Sequence, residues 1–253
     1  MDLPFITDPF FYLVAVPAVL LVGISKSGFG MGFGSLATPL MALTVTVPQA
    51  AAIMVPLLTA IDLMGIRALR KDLDRQLFKF LLPWALLGVV IGAVLFGLLD
   101  AKVVAGIVGI FTLLALAQRF FFPPNANSKP PPRWVGAILT VTSGFTSFVA
   151  HAGGPPLSAY VLPLRMPPLV YASTLNYLFF FVNLAKWGPY AMLGLLDLRN
   201  MATSLVLLPV VPLGVVMGVW MARRISPKLF YQLVYLGLFL TGCKLVWDGF
   251  LSA

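Results

Sequence analysis

Ser25-Lys26-Ser27-Gly28-Phe29-Gly30-Met31-Gly32-Phe33-Gly34 and His151-Ala152-Gly153-Gly154-Pro155-Pro156 are two glycine-rich breaks in stretches that otherwise read as membrane helix. Irregular backbone at membrane depth is tolerated only where it is buried in protein or lines a polar cavity. Two such breaks in corresponding positions of two halves point to a solute site where the halves meet.

Composition sets the class. Of 253 residues, 60% are apolar and 10% charged, with a mean hydropathy of +0.99, far from the roughly 25% charged residues of soluble domains. Several uncharged windows reach about 20 residues, enough to cross a hydrocarbon core. Asp2 and Asp8 precede the first basic residue, Lys26. A secretory leader needs a basic start, so the segment 10–24 is expected to stay in the mature chain. The single cysteine, Cys243, can form no intrachain disulfide. The net charge of +9 is scattered over short loops, which excludes a nucleic-acid-binding stripe and fits topogenic charge.

The chain repeats itself. Leu81-Leu82-Pro83-Trp84-Ala85-Leu86-Leu87-Gly88-Val89-Val90-Ile91-Gly92 matches Leu207-Leu208-Pro209-Val210-Val211-Pro212-Leu213-Gly214-Val215-Val216-Met217-Gly218 at eight of twelve positions, 126 residues apart. Lys102 falls on Lys228 at the same spacing, and with small shifts Gly34 falls near Gly154. A duplication follows: a first membrane repeat over 1–122, a Pro-rich cytoplasmic linker over 123–133, and a second membrane repeat over 134–253. The expected fold is an all-α polytopic membrane protein. Each half is a glycine-broken re-entrant or half-helix pair plus three transmembrane helices. The broken arms are expected at 10–25 with 35–47, and at 134–149 with 155–165. The full helices are expected at 49–66, 77–98 and 101–121, then 168–194, 200–222 and 228–250. The pairs Gly88/Gly92 and Gly214/Gly218 each lie on one helix face and allow backbones to approach closely.

Loop charge orients the halves, because cytoplasmic loops are rich in Lys and Arg. Arg67, Arg70, Lys71, Arg75 and Lys79 form one basic loop. Arg119, Lys129 and Arg133 flank the linker, and Arg223, Arg224 and Lys228 form the last cluster. The basic loop precedes the helix at 77–98 in the first half but follows its counterpart at 200–222 in the second, so equivalent loops face opposite sides and the repeats are inverted. Both termini are then expected on the periplasmic side of a bacterial inner (plasma) membrane. One hairpin enters from outside, with its tip at 26–34, and the other from the cytoplasm, with its tip at 150–156. Parallel repeats, with one continuous broken helix per half, are the alternative.

A glycine run exposes successive N–H groups that can cradle an anion, and a following helix presents its positive end. The candidate substrate-binding set is Lys26, Ser27, Gly28, Gly30, Gly32, Gly34, Ser35 and Thr38 from the first break. Ser143, His151, Gly153, Gly154, Ser158 and Asn176 come from the second half, with Ser25 and Ser147 as further hydroxyls. An ammonium at membrane depth costs about 2.5–3.5 kcal/mol on insertion scales, so Lys26 needs a partner, which a bound anion would supply. Its alternative is to reach the surface. The glycines have the alternative of helix crossing. His151, the only histidine, is a candidate ligand donor, proton relay or carbonyl-bonded core residue. Asp62 is an acid inside an expected span: a proton carrier, or the partner of Lys186 or another buried base.

No metal is expected, since no second His, Cys or Glu stands at ligand spacing, and no cofactor is called for. Neither G-x-G-x-x-G, H-E-x-x-H nor a nucleophile elbow occurs, so an enzyme is not expected. The aromatic clusters Phe120–Phe122 and Phe179–Phe181 fit an interface belt.

Taken together, Gly28-Phe29-Gly30-Met31-Gly32-Phe33-Gly34 with Pro39, and Ser143-Gly144 through His151-Ala152-Gly153-Gly154-Pro155-Pro156, give a chain that resembles the sulfite exporter TauE/SafE family of bacterial membrane proteins. The second motif is the more specific, and Met31 and Phe33 interrupt the first. The resemblance implies export of small sulfur-containing anions such as sulfite, sulfoacetate and related organosulfonates. The expected activity is secondary transport out of the cytoplasm by alternating access, with the hairpins as gates. An anion channel on the same scaffold, or export of a non-sulfur organic anion, is the alternative. The expected partners are a small anionic substrate and the lipid bilayer, with no nucleic acid; a homodimer stays open.

Overall fold

The computed structural model describes residues 5–29, 37–41, 43–98, 100–121 and 130–251. The fold is all-α and polytopic, 85% helical. Its helices are α1 (Pro9–Phe29), α2 (Ala37–Met41), α3 (Val47–Leu69), α4 (Arg75–Leu95), α5 (Ala101–Phe121), α6 (Arg133–Ala150), α7 (Gly154–Val161), α8 (Pro168–Met192), α9 (Leu198–Leu207), α10 (Val210–Arg224) and α11 (Pro227–Val246). Among the described residues five helices are long and apolar enough to cross a membrane, or six if the bent pair α9 and α10 is one span.

Helix starts are set by local chemistry. Asp74 accepts from the N–H groups of Gln76 and Leu77 at 3.0 and 2.9 Å to open α4, and Asp197 opens α9 by accepting from Asn200 at 2.7 Å. Ser226 does the same for α11, whose first turn also holds Pro227. Such caps satisfy N–H groups that the helix itself leaves orphaned.

The packing pairs elements across the two halves. α1 lies along α10 in the same direction, with Gly23 against Gly214 and Gly28 against Gly218. α4 lies along α6 in the same direction, with Gly88 against Val141 and Gly92 against Phe148. α3 and α8 run antiparallel. Trp187 donates to Thr59, Asn183 to Asp62, and Ser173 to the Leu69 carbonyl. α5 and α11 are antiparallel too, matching Gly106 to Gly249, Gly109 to Val246 and Leu113 to Gly242.

The two ends of the bundle are tied separately. At one end Arg223 donates to the Ala68 carbonyl at 3.0 Å and the Asp74 N–H donates to Thr174 at 3.1 Å. At the other, the Ile6 N–H donates to Thr203 and Ser204 donates to the Ile53 carbonyl. Apolar side chains such as Leu13, Val94, Leu114, Leu213 and Val216 cover the outer surface. The candidate spans of α3 and α8 are each 56% buried and that of α4 only 28%, so α3 and α8 form the interior.

Several expectations need correction. The leading arms are longer than expected, 21 residues in α1 and 18 in α6, and α7 has 8, while the start of the arm that holds α2 lies outside the described residues. α1 runs on through Lys26, Ser27 and Gly28 because Gly28 sits directly on the Gly218 backbone. The helix expected at 200–222 is bent by 50° between α9 and α10. Pro209 and Pro212 each remove an N–H from the ladder there. Its counterpart α4 has Pro83 alone, with Leu86 where Pro212 stands, and stays continuous. Most of the expected linker, 122–129, lies outside the described residues.

The α4–α6 crossing leaves no room for a side chain. A Cβ on Gly144 would collide with the Ala85 carbonyl, and one on Gly88 with the Val141 carbonyl. Gly144→Val is expected to destabilise the protein by about 3 kcal/mol, the upper range of overpacking. Gly188, with nothing within 4 Å of its would-be Cβ, should accept Ala with an unchanged or raised melting point in detergent. Equal melting points for the two variants would contradict the crossing.

Candidate functional site

The second break is built by hydroxyls of α6. His151 ends that helix in the left-handed region at φ 51°, a conformation in which His is enriched among non-glycine residues. The Ala152 N–H donates to the Thr146 carbonyl. Thr146 donates to the Ala152 carbonyl at 3.1 Å and Ser143 to the Gly153 carbonyl at 2.6 Å. Gly153 is required because a Cβ there would meet Ser143 and Ser147. The chain then reverses into α7, whose first turn contains Pro155 and Pro156. Neither proline has an N–H, so the amide donors expected at this tip are halved.

Charge at the site comes from side chains instead. Lys26 Nζ lies 2.6 Å from Asp62 Oδ1 and 5.4 Å from the centroid of the Phe179 ring. Asp62 Oδ2 accepts from Asn183 Nδ2 at 2.7 Å. Asn183 Oδ1 accepts from Lys186 Nζ at 3.1 Å, and Lys186 also donates to Ser147 Oγ at 2.8 Å. One chain of polar contacts thus runs from α1 through α3 and α8 to α6 and ties the two breaks together. One turn beyond it, the Tyr190 hydroxyl donates to the Phe148 carbonyl at 2.9 Å and lies 3.3 Å from His151 Nε2.

Beside this chain is a small cavity of about 30 Å³, room for a water or two in this conformation. Lys26, Thr38, Ser147, His151, Asn183 and Lys186 supply its polar wall, Gly153 and Gly154 its backbone wall, and Met54, Leu58 and Phe179 its apolar wall. Two lysines line it, and one of them, Lys26, is paired with Asp62. Lys186 is 0% exposed, and among the described residues no carboxylate lies within ion-pair distance of it.

The expected site residues divide into four sets. Lys26, Thr38, His151, Gly153, Gly154 and Lys186 line the cavity. Others serve packing: Gly28 seats α10, Ser143 holds the turn, Ser158 meets the Tyr171 hydroxyl at 3.3 Å, and Asn176 donates to the Lys26 carbonyl at 3.2 Å. Ser27 is buried, with its hydroxyl unpartnered among the described residues. Gly30, Gly32, Gly34 and Ser35 lie outside the described residues. The partner of Asp62 is Lys26 rather than Lys186, which leaves Lys186, not Lys26, as the cation lacking a counter-charge. Asn183 and Tyr190 were not singled out by sequence, and Phe179, expected in an interface belt, is instead buried against the cavity. Asn176, Asn183, Lys186 and Tyr190 follow at intervals of 7, 3 and 4, one polar face on an apolar helix, and that periodicity was the available signal.

A multi-pass helical bundle with a lysine-lined cavity between its halves fits a membrane transport protein. The model of the family described as sulfite exporter TauE/SafE matches residues 15–245, and the chain belongs to that family of membrane transporters for sulfur anions such as sulfite. No curated protein and no solved structure shows significant similarity to the chain.

Proposed function

We propose that the protein is a secondary transporter that exports sulfite, sulfoacetate or a related organosulfonate from the cytoplasm by alternating access, with Lys186 as its anion-binding cation. The observation that carries this is Lys186, buried in a cavity lined from both halves with only neutral partners among the described residues. An ammonium has three donors; Ser147 and Asn183 take two, and the third is left for a ligand. Sulfonate and sulfite oxygens are suited to it, and Thr38, Ser147 and Asn183 add neutral polar groups on the same wall.

The inverted relation of the halves is part of this proposal. It is supported by the antiparallel pairing of α3 with α8 and of α5 with α11, since each pair joins counterparts from the two repeats. Inverted repeats around a shared midplane site are the usual basis of alternating access. A bacterial inner-membrane location with periplasmic termini is supported by the basic residues around Arg70 and Arg223, whose segments meet at one end of the bundle. The pairing of α1 with α10 and of α6 with α4 means that each break moves with a helix of the opposite half.

An inside-negative potential favours outward movement of a monoanion by about 2.3 kcal/mol, or roughly fifty-fold, per 100 mV. Efflux of sulfite from proteoliposomes is therefore expected to accelerate with that potential, to saturate and to show counterflow. Resolvable single-channel currents without counterflow would replace the carrier with a channel. Efflux that needs only a pH gradient would overturn the potential-driven scheme.

A further inference from the structure

The Tyr190 hydroxyl carries one hydrogen, and the Phe148 carbonyl 2.9 Å away can only accept it. The same oxygen lies 3.3 Å from His151 Nε2. With its hydrogen committed, Tyr190 can only accept from the ring, so Nε2 bears the hydrogen and Nδ1 is left as a lone pair. The ring is held edge-on to Tyr190, at an interplanar angle of 90°.

Nδ1 is buried and has no hydrogen-bond partner among the described residues, while His151 lines the cavity and is 8% exposed. Leaving a buried acceptor unsatisfied costs about 1–3 kcal/mol. A bare anion oxygen cannot relieve that cost, because lone pair would face lone pair; a hydroxyl or ammonium hydrogen can. The placement suits a second contact on one ligand. Ser147 lies in the last turn of α6 and His151 just past its end, and their partners Lys186 and Tyr190 are one turn apart on α8. Four residues of helix rise about 6 Å, the span of a short two-carbon anion with a polar end.

We propose that His151 Nδ1 is a specificity-determining acceptor, selecting short anions that carry a hydroxyl or ammonium donor at the end opposite the group held by Lys186. The inference rests on the anion site proposed above. It also assigns Tyr190 as the positioning residue that fixes the tautomer.

The test uses the purified full chain and three sulfonates that stay fully ionised near neutral pH: 2-hydroxyethanesulfonate, its near-isostere 1-propanesulfonate, and ethanesulfonate. The wild type is expected to bind the hydroxylated compound at least tenfold more tightly than either of the others. In Tyr190→Phe the ring is free to present an Nδ1 hydrogen, and the preference is expected to fall below threefold. Because the chain has one histidine, 15N-histidine NMR of the wild type reads the tautomer without any variant, and the Nε2-protonated form is expected. Equal affinities in the wild type, or an Nδ1-protonated ring, would overturn the inference. Failure of the anion site itself looks different. If Lys186→Met binds all three as the wild type does, both proposals fall; if it loses all three while the wild type binds them equally, only the role of His151 falls.

Discussion

Replacing Lys186 with methionine is expected to weaken anion binding by about a hundredfold or more, the scale of losing one partner of a buried, hydrogen-bonded charge pair. The melting point of the ligand-free protein should barely change or should rise. The reason lies in what the ammonium faces without ligand: Ser147 and Asn183, both neutral, at 2.8 and 3.1 Å. No carboxylate is abandoned when it goes, and a flexible apolar side chain fills much of the same volume, as in other replacements of buried charge by apolar groups. Lys186→Arg is expected to lose binding as well. A planar guanidinium cannot take the place of a compact ammonium between these two oxygens. Calorimetric titration with sulfite checks the first expectation and thermal unfolding without ligand the second. Wild-type affinity in Lys186→Met would remove the residue from the site.

Much of the fold can be read from the residues. α5 fits its expected bounds and α8 begins where expected, the latter marked by Pro167 and Pro168. The second break stands where glycine interrupts the apolar run, and the Gly88/Gly92 and Gly214/Gly218 faces are where helices meet. What local sequence could not supply is tertiary. Gly28 reads as a breaker, yet it is helical because the α10 backbone needs that space. Pro83 and Pro209 are aligned residues with opposite outcomes, decided by a second proline three positions on. The candidate site was legible as a set of polar groups near two breaks, but its charge pairing was not. Asp62 could have met either lysine, and only the crossing of α1, α3 and α8 assigns it to Lys26. Asn183, which links both lysines to Asp62, has no local signal beyond its helical face.

That assignment leads to an expectation about Lys26 and Asp62 that differs from the one for Lys186. The two side chains are 6% and 0% exposed and 2.6 Å apart, so each neutralises the other where neither is hydrated. Asp62→Leu leaves the Lys26 ammonium with only the Phe179 ring near it; Lys26→Met leaves the carboxylate with Asn183 alone. Each is expected to destabilise the protein by about 3–5 kcal/mol, as breaking a buried pair from one side does. The double variant Lys26→Met/Asp62→Leu has no orphaned charge and should recover most of that loss. A double-mutant cycle would then show a large coupling between the two positions. Anion binding separates the variants further. In Asp62→Leu a second cation borders the cavity, and affinity for sulfite should rise. In Lys26→Met, Asn183 continues to link the freed carboxylate to Lys186, so the anion meets a neutralised site and affinity should fall. The double variant keeps Lys186 unopposed and should bind sulfite close to wild-type strength. Additive losses of stability in the cycle, or loss of binding in the double variant, would show that Lys26 holds the anion directly rather than serving as the counter-ion of Asp62.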